Sequence, residues 1–168
     1  HPQCAFPERF RFLQERLRLG IAPVKCDEFL AWKNGLNGNS VAVIYSASYP
    51  NSPPSTFGHT FLRINAASKS TLQSKADLLD YGVNYAASTA DGMSVKFALY
   101  GLLGGYEGVF FVTPYYMKVN EYSNMENRDL WEYELNLNAE QTSRMISHLW
   151  ELRTAAQFNY YFVDENCS

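Results

Sequence analysis

The spacing of apolar residues predicts helices near both ends of this chain and strands between them. In segment 7–20 apolar residues recur every three or four positions, which is typical of an amphipathic helix beginning at Pro7 and ending at Gly20. A second short helix is predicted to begin at Asp27, as its cap, and to end before Gly35. The arginine-rich side of the first helix fits either a solvated face or contact with anionic lipid.

The most regular helical pattern lies near the carboxyl end, in segment 138–153. Asn138 is its predicted N-cap, and Gln141 stands three residues later at the capping-box position. The apolar residues of this segment form one stripe, made by Met145, Ile146, Leu149 and Leu152. The segment is therefore predicted to pack one face against a core.

Short apolar runs bounded by Pro, Gly, Ser and Asn predict the strands. The β-branched run 41–47 predicts a buried strand, and the proline-rich segment 48–58 that follows cannot continue a ladder. Four further segments have the composition of strands: 59–64, 77–87, 107–116 and 130–135. With a helix predicted at 94–105, the fold class is α+β with a mostly antiparallel sheet and flanking helices.

Length and composition predict a single domain spanning residues 1–168. A hydrophobic content of 46% is that of an ordinary globular interior, and a net charge of −3 argues against a nucleic-acid partner. The longest weakly polar run, 97–106, is about half the ~20 residues that a bilayer span needs. The chain opens on His1 without an initiator methionine, so we interpret it as a fragment excised from a longer protein.

The chain has three cysteines, Cys4, Cys26 and Cys167. Cys4 and Cys26 flank the first predicted helix and could close a disulfide, although two reduced cysteines in the core would give the same sequence. A disulfide would indicate an oxidising compartment, and it would leave Cys167 as the free thiol.

Cys167 and His59 are the candidate nucleophile and base. A thiolate activated by an imidazole needs only these two groups in contact, and His59 follows Gly58 at the start of a predicted strand. If the strands around His59 and Asn84 pair as antiparallel neighbours, Asn84 lies nearer the imidazole than Asp80 does. Asn84 is therefore the candidate third member and Asp80 the second choice. A hydrogen-bonded structural histidine and a buried structural cysteine are the alternatives.

No cofactor is predicted from the sequence. His59 and Cys167 have no companions at the spacing of a zinc site, which disfavours a metal. The glycine-rich segment 101–108 lacks the lysine and the serine or threonine of a phosphate-binding loop. We interpret it as a turn, with a loop that gates a substrate as the alternative.

Five segments resemble the amino-terminal periplasmic domain of the Lnb family of bacterial lipoprotein N-acyltransferases: SASYPNSPPSTFGHTFLRI, LLDYGVNYAA, YGLLGGYEGVF, PYYMKVNEYSNMENRDLWEYELNL and YYFVDENCS. The resemblance runs from about Cys4 to Ser168. It implies a permuted papain-like, NlpC-type architecture, a periplasmic location, and membrane attachment through a region absent from this chain. It also implies that His59 is the base and Cys167 the nucleophile. Asn84 is an inference from strand register alone.

The reaction implied by the resemblance is acyl transfer from a phospholipid donor to the amino-terminal amine of a lipoprotein, through a thioester on Cys167. Two other functions fit the same residues: a papain-like peptidase or amidase acting on cell-wall peptide, and a non-catalytic envelope module that binds lipid or peptide. The sequence stops one residue after Cys167, without the helix expected to lower the pKa of its thiol. We therefore expect these 168 residues alone to fold but not to catalyse.

Overall fold

The computed structural model describes residues 1–51, 56–67, 80–88 and 94–162. This part of the chain is α+β, with one six-stranded antiparallel sheet and helices on both of its faces. The predicted fold class is thereby confirmed. Cys167 and the beginning of the strand predicted at 77–87 lie outside the described residues.

The strands lie in the order β5-β1-β2-β3-β4-β6. Their bounds are β1 (Gly38–Ser46), β2 (His59–Ala66), β3 (Tyr81–Ser88), β4 (Tyr106–Pro114), β5 (Leu130–Glu134) and β6 (Gln157–Tyr160). The helices are α1 (Pro2–Ala5), α2 (Pro7–Leu17), α3 (Asp27–Leu36), α4 (Val95–Leu102), α5 (Tyr115–Val119) and α6 (Ala139–Ala155). A π-helix (Asn120–Met125) continues directly from α5.

Helix boundaries follow the predicted caps at α6 but not at the first two predicted helices. The capping box of Asn138 and Gln141 is formed as predicted. Helix α2 ends before Gly20, because Arg18 already adopts the left-handed conformation with φ of 50°. Asp27 is the first helical residue rather than the cap, and Gly35 lies inside α3. Both glycine-based ends were therefore wrong by a few residues.

Alternation of side chains along the strands gives the sheet two different apolar faces. Helices α3 and α6 cover one face, which we call the α6 face; its buried side chains are Leu36, Ile64, Val83, Ile146 and Leu149. Helix α5 and the π-helix cover the other, the α5 face; its buried side chains are Ala42, Ile44, Phe61, Tyr115 and Tyr122. His59 lies on the α5 face, two residues before Phe61.

A buried carboxylate attaches α2 to α6, and a disulfide joins α1 to the residue before α3. Cys4 and Cys26 form the predicted disulfide, with Cα atoms 5.3 Å apart. The fully buried Glu151 accepts hydrogen bonds from the backbone N–H groups of Glu8 and Arg9, at 2.7 and 2.9 Å. Helix α2 has no side-chain cap of its own, so the Glu151 carboxylate in α6 satisfies its first turn.

We predict that Glu151→Ala lowers the free energy of unfolding by about 3 kcal/mol, because it removes a fully buried carboxylate and leaves two partly buried amides of α2 without their acceptor. Urea denaturation at neutral pH measures the loss. Glu15→Ala is the matched control: Glu15 pairs with Arg11 on the exposed side of α2, and its loss should cost less than about 1 kcal/mol. Equal costs for the two variants would contradict the capping role.

Candidate functional site

Gly58 and the end of β1 fix the position of His59. His59 is the first residue of β2, and it pairs with Ser46, the last residue of β1. Gly58 has φ of +104°, and a Cβ atom there would lie 2.7 Å from the Tyr45 ring and 2.8 Å from the backbone oxygen of Ser46. Only glycine combines this backbone conformation with so close an approach. The backbone at Gly58 therefore fixes the direction in which the chain enters β2, and with it the position of His59.

Aromatic rings enclose the His59 imidazole, which is only 8% exposed. The Phe61 ring stacks beside it, with centroids 5.9 Å apart, and the Tyr122 ring from the π-helix lies 6.0 Å away. The Ser46 side chain opposite is fully buried. His59 thus lies in a largely apolar environment between the sheet and the π-helix.

Asn84 of β3 lies beside His59, as the antiparallel register predicts. The β2–β3 ladder is formed from Ile64 and Tyr81 to Leu62 and Val83, and Asn84 is the next residue of β3. Its amide interacts with the imidazole and raises the pKa of His59, which favours the charged form of the ring. Neither the amide nitrogen nor its oxygen makes a well-formed hydrogen bond, although Asn84 is 1% exposed. The contact is therefore loose, as is common at sites that tighten when a ligand binds.

Asp80, the second candidate, belongs to a separate cluster at the other end of the α5 face. Its Oδ2 accepts a hydrogen bond of 2.8 Å from Arg63 Nε, and its Oδ1 accepts one of 2.8 Å from the backbone N–H of Ala66. Arg63 also pairs with Glu132 at 2.8 Å and stacks over the Tyr115 ring. Asp80 is engaged by these partners, so Asn84 is the candidate that the fold brings to His59.

Burial is the main reason that the pKa of His59 falls to about 4. The positive charges of Lys118 and Arg128 lower the pKa further, while the Asn84 amide and the Glu121 carboxylate oppose the fall. At neutral pH the imidazole is therefore uncharged, and one of its nitrogens can accept a proton.

Sequence reasoning missed the residues that the α5 region contributes. Lys118, Tyr122 and Arg128 lie in a segment that was only recognised through its resemblance to a family. Tyr115, Val119 and Tyr122 are spaced four and three residues apart, which is a helical pattern and could have predicted this element. No local pattern would have placed the element over His59, because that contact depends on the sheet.

The last described strand ends near the end of the sheet at which His59 lies. Strand β6 is antiparallel to β4, and Tyr160 pairs with Tyr106 at the beginning of β4. The beginning of β4 in turn pairs with the end of β3, which lies at the same end as the first residue of β2. Because Cys167 lies outside the described residues, its pairing with His59 stays a prediction.

Comparison with known proteins gives a family for the chain. Residues 28–168 match the family model of the Lnb N-terminal periplasmic domain. The chain belongs to this family. The Lnb domain is periplasmic, in agreement with the Cys4–Cys26 disulfide. No curated protein and no solved structure matches the chain, so the papain-like permutation expected for this Lnb domain stays a prediction.

Within the described parts of the chain, no helix of the Lnb domain is long and apolar enough to cross a membrane.

We predict that the domain loses stability as the pH falls from about 6.5 to about 4, because the unfolded chain protonates His59 in this range while the folded chain does not. Full stability from this group is present above the unfolded pKa. The loss attributable to His59 is on the order of 3 kcal/mol. Urea denaturation of the wild type and of His59→Gln at several pH values isolates the contribution of His59. If the free energies of unfolding of the two proteins changed in parallel over this pH range, the prediction would be contradicted.

We predict that Gly58→Ala destabilises the domain by about 2 kcal/mol or more, because it adds a Cβ atom at a positive φ and against the Ser46 backbone. Thermal unfolding measures the effect. Gly35→Ala is the matched control: nothing lies within 4 Å of its added Cβ atom, and alanine at this exposed position of α3 should stabilise by up to about 1 kcal/mol. Similar losses in both variants would contradict a special role for Gly58.

Proposed function

We propose that this Lnb domain is an acyltransferase with His59 as general base, Cys167 as nucleophile and Asn84 as the residue that orients the imidazole. The observation that carries the proposal is the buried, uncharged imidazole beside Asn84 at the end of the sheet toward which β6 leads. Membership of the Lnb family supports an envelope role. We propose with it the permuted papain-like arrangement, in which the histidine precedes the cysteine in sequence.

In the first half-reaction, His59 takes the proton of the Cys167 thiol and the thiolate attacks an ester carbonyl of the phospholipid donor. The new C–S bond forms as the ester C–O bond breaks, which leaves the acyl chain on Cys167 as a thioester. The imidazolium then gives its proton to the alkoxide of the departing lysophospholipid. His59 is neutral again at the end of this step.

In the second half-reaction, the amino-terminal amine of a lipoprotein attacks the thioester. The C–N bond forms and the C–S bond breaks, and the amine proton passes through His59 to the Cys167 thiolate. A free amine is the required nucleophile, since an ammonium group has no lone pair. If water attacked the thioester in place of the amine, the enzyme would be a hydrolase. The molecule that accepts the acyl group from Cys167 therefore decides between acyl transfer and the peptidase-like alternative.

Chain length allows Cys167 to reach His59. Strands β6, β4, β3 and β2 are neighbours, so three spacings of about 4.8 Å separate β6 from β2, and Tyr160 lies three residues past the position of β6 that is in register with His59. The two offsets together place Tyr160 roughly 17 Å from His59. Cys167 is the seventh residue after Tyr160, and seven extended residue steps span at most roughly 23–25 Å. The contact between the thiol and the imidazole therefore needs no rearrangement of the sheet.

We predict that the full-length protein that contains this chain forms a thioester on Cys167 when it is incubated with phospholipid vesicles. Intact-protein and peptide mass spectrometry would locate an added acyl mass at Cys167, and hydroxylamine should remove it. His59→Ala should slow adduct formation by about 10² to 10⁴. Asn84→Ala should slow it less. Asn65→Ala is its control, since Asn65 lies in β2 at the end away from His59 and its amide donates to the Ser40 hydroxyl.

The remaining outcomes identify the alternatives. An adduct that forms equally well in His59→Ala would refute the base. A thioester that releases free acid faster than it acylates an amino-terminal cysteine peptide would favour hydrolysis. Unchanged function of Cys167→Ser would leave the non-catalytic binding module.

A further inference from the structure

Arg128 is a buried arginine that ties the end of β1 to the segment after the π-helix. Only 1% of its side chain is exposed. Its Nε donates to the backbone oxygen of Ala47 at 2.6 Å, and Nη2 donates to that of Ser46 at 3.3 Å. Nη1 pairs with the Glu126 carboxylate at 2.8 Å. All three nitrogens of the guanidinium are therefore used, so Arg128 is placed to hold structure rather than to bind a substrate.

Two of the residues that Arg128 contacts, Ser46 and Tyr122, also contact His59. Ser46 pairs directly with His59 across the β1–β2 ladder. The Arg128 guanidinium lies 4.8 Å from the centroid of the Tyr122 ring, and that ring lies 6.0 Å from the imidazole. The backbone N–H of Arg128 also donates to the Tyr122 carbonyl oxygen at 2.9 Å. Arg128 thus fixes two of the surfaces between which His59 lies.

We propose that Arg128 is a positioning residue for His59, which holds the imidazole between Ser46 and Tyr122 and keeps a positive charge beside it. Its catalytic meaning rests on the acyltransferase proposed above. The contacts of Arg128 with Ser46 and Tyr122 do not depend on that reaction, because they involve only residues of the folded domain. Sequence motifs do not assign it, since Arg128 lies 69 residues after His59.

Within the described ranges, the charged groups that influence the His59 imidazole come from three consecutive parts of the chain. Lys118 of α5 and Glu121 of the π-helix form an ion pair at 2.7 Å, and they shift the pKa of His59 in opposite directions. Arg128, from the segment after the π-helix, lowers it, and β3 contributes the uncharged Asn84 amide, which raises it. Removing the Arg128 charge should therefore make the imidazolium easier to form.

An NMR titration of the His59 ring tests the assignment without requiring activity. In Arg128→Met the pKa of His59 should rise, because a neighbouring positive charge is lost. In Arg128→Lys, which keeps the charge but not the planar fork, the pKa should rise less. The nuclear Overhauser effects between the His59 and Tyr122 rings should weaken in both variants.

Arg63→Met is the matched control. Arg63 is the other arginine with a mostly buried side chain on the α5 face, where it stacks over Tyr115 and pairs with Asp80. Its loss should destabilise the domain and leave the pKa of His59 and its contacts with Tyr122 unchanged. A purely structural role of Arg128 would give the same pattern as this control and would overturn the proposal.

If Arg128→Met does not fold, Arg128→Lys decides. Weakened contacts between His59 and Tyr122 in that variant support the positioning role, and an unchanged ring environment with an unchanged pKa overturns it. Failure of acyl transfer is recognised separately, as the absence of a Cys167 adduct in the full-length wild type. A shifted His59 pKa in the Arg128 variants would stand even then.

Discussion

The register of β2 between β1 and β3 is the constraint on which the candidate site depends. Ile64 of β2 and Val83 of β3 are buried on the α6 face, and each contributes roughly 1.5–3 kcal/mol by leaving water. A slip of one residue would turn these side chains to the opposite face. The same alternation sends His59, Phe61 and Arg63 to the α5 face. Packing on one side of the sheet therefore fixes the position of the histidine on the other.

The α5 face carries two polar clusters that differ in how well they are satisfied. Arg63 pairs with the carboxylates of Asp80 and Glu132, and Asp80 also accepts a hydrogen bond from the Ala66 backbone. Around His59 the reverse holds: of six buried side-chain atoms without a hydrogen-bond partner in the described residues, three belong to Ser46 and Asn84. A buried group without a partner costs about 1–3 kcal/mol. Such a concentration is expected where polar groups serve a ligand or a reaction rather than stability.

Local sequence patterns were sufficient for most of the helices and strands, and insufficient for contacts between distant elements. The capping box at Asn138 and the β-branched run of β1 depend on neighbouring residues, so both could be predicted. The side-chain acceptor for α2 is Glu151, more than 140 residues away, and it carries no local mark. The preference for Asn84 over Asp80 followed from assuming one antiparallel pair. The engagement of Asp80 by Arg63 and the placement of Lys118 and Arg128 over His59 needed the whole sheet.

A histidine with a pKa of about 4 is a weak base when it acts alone. Moving a proton from an ordinary thiol, with pKa about 8.5, to such an imidazole costs about 6 kcal/mol. Mutual attraction between thiolate and imidazolium offsets part of that cost, and the two groups then titrate as one coupled pair. Lys118 and Arg128 disfavour the imidazolium but favour a thiolate at a similar distance, so their effects on the pair oppose each other. Lys118 and Arg128 therefore mainly destabilise the state in which His59 is protonated while no thiolate is present. The proposed base stays uncharged until Cys167 gives up its proton.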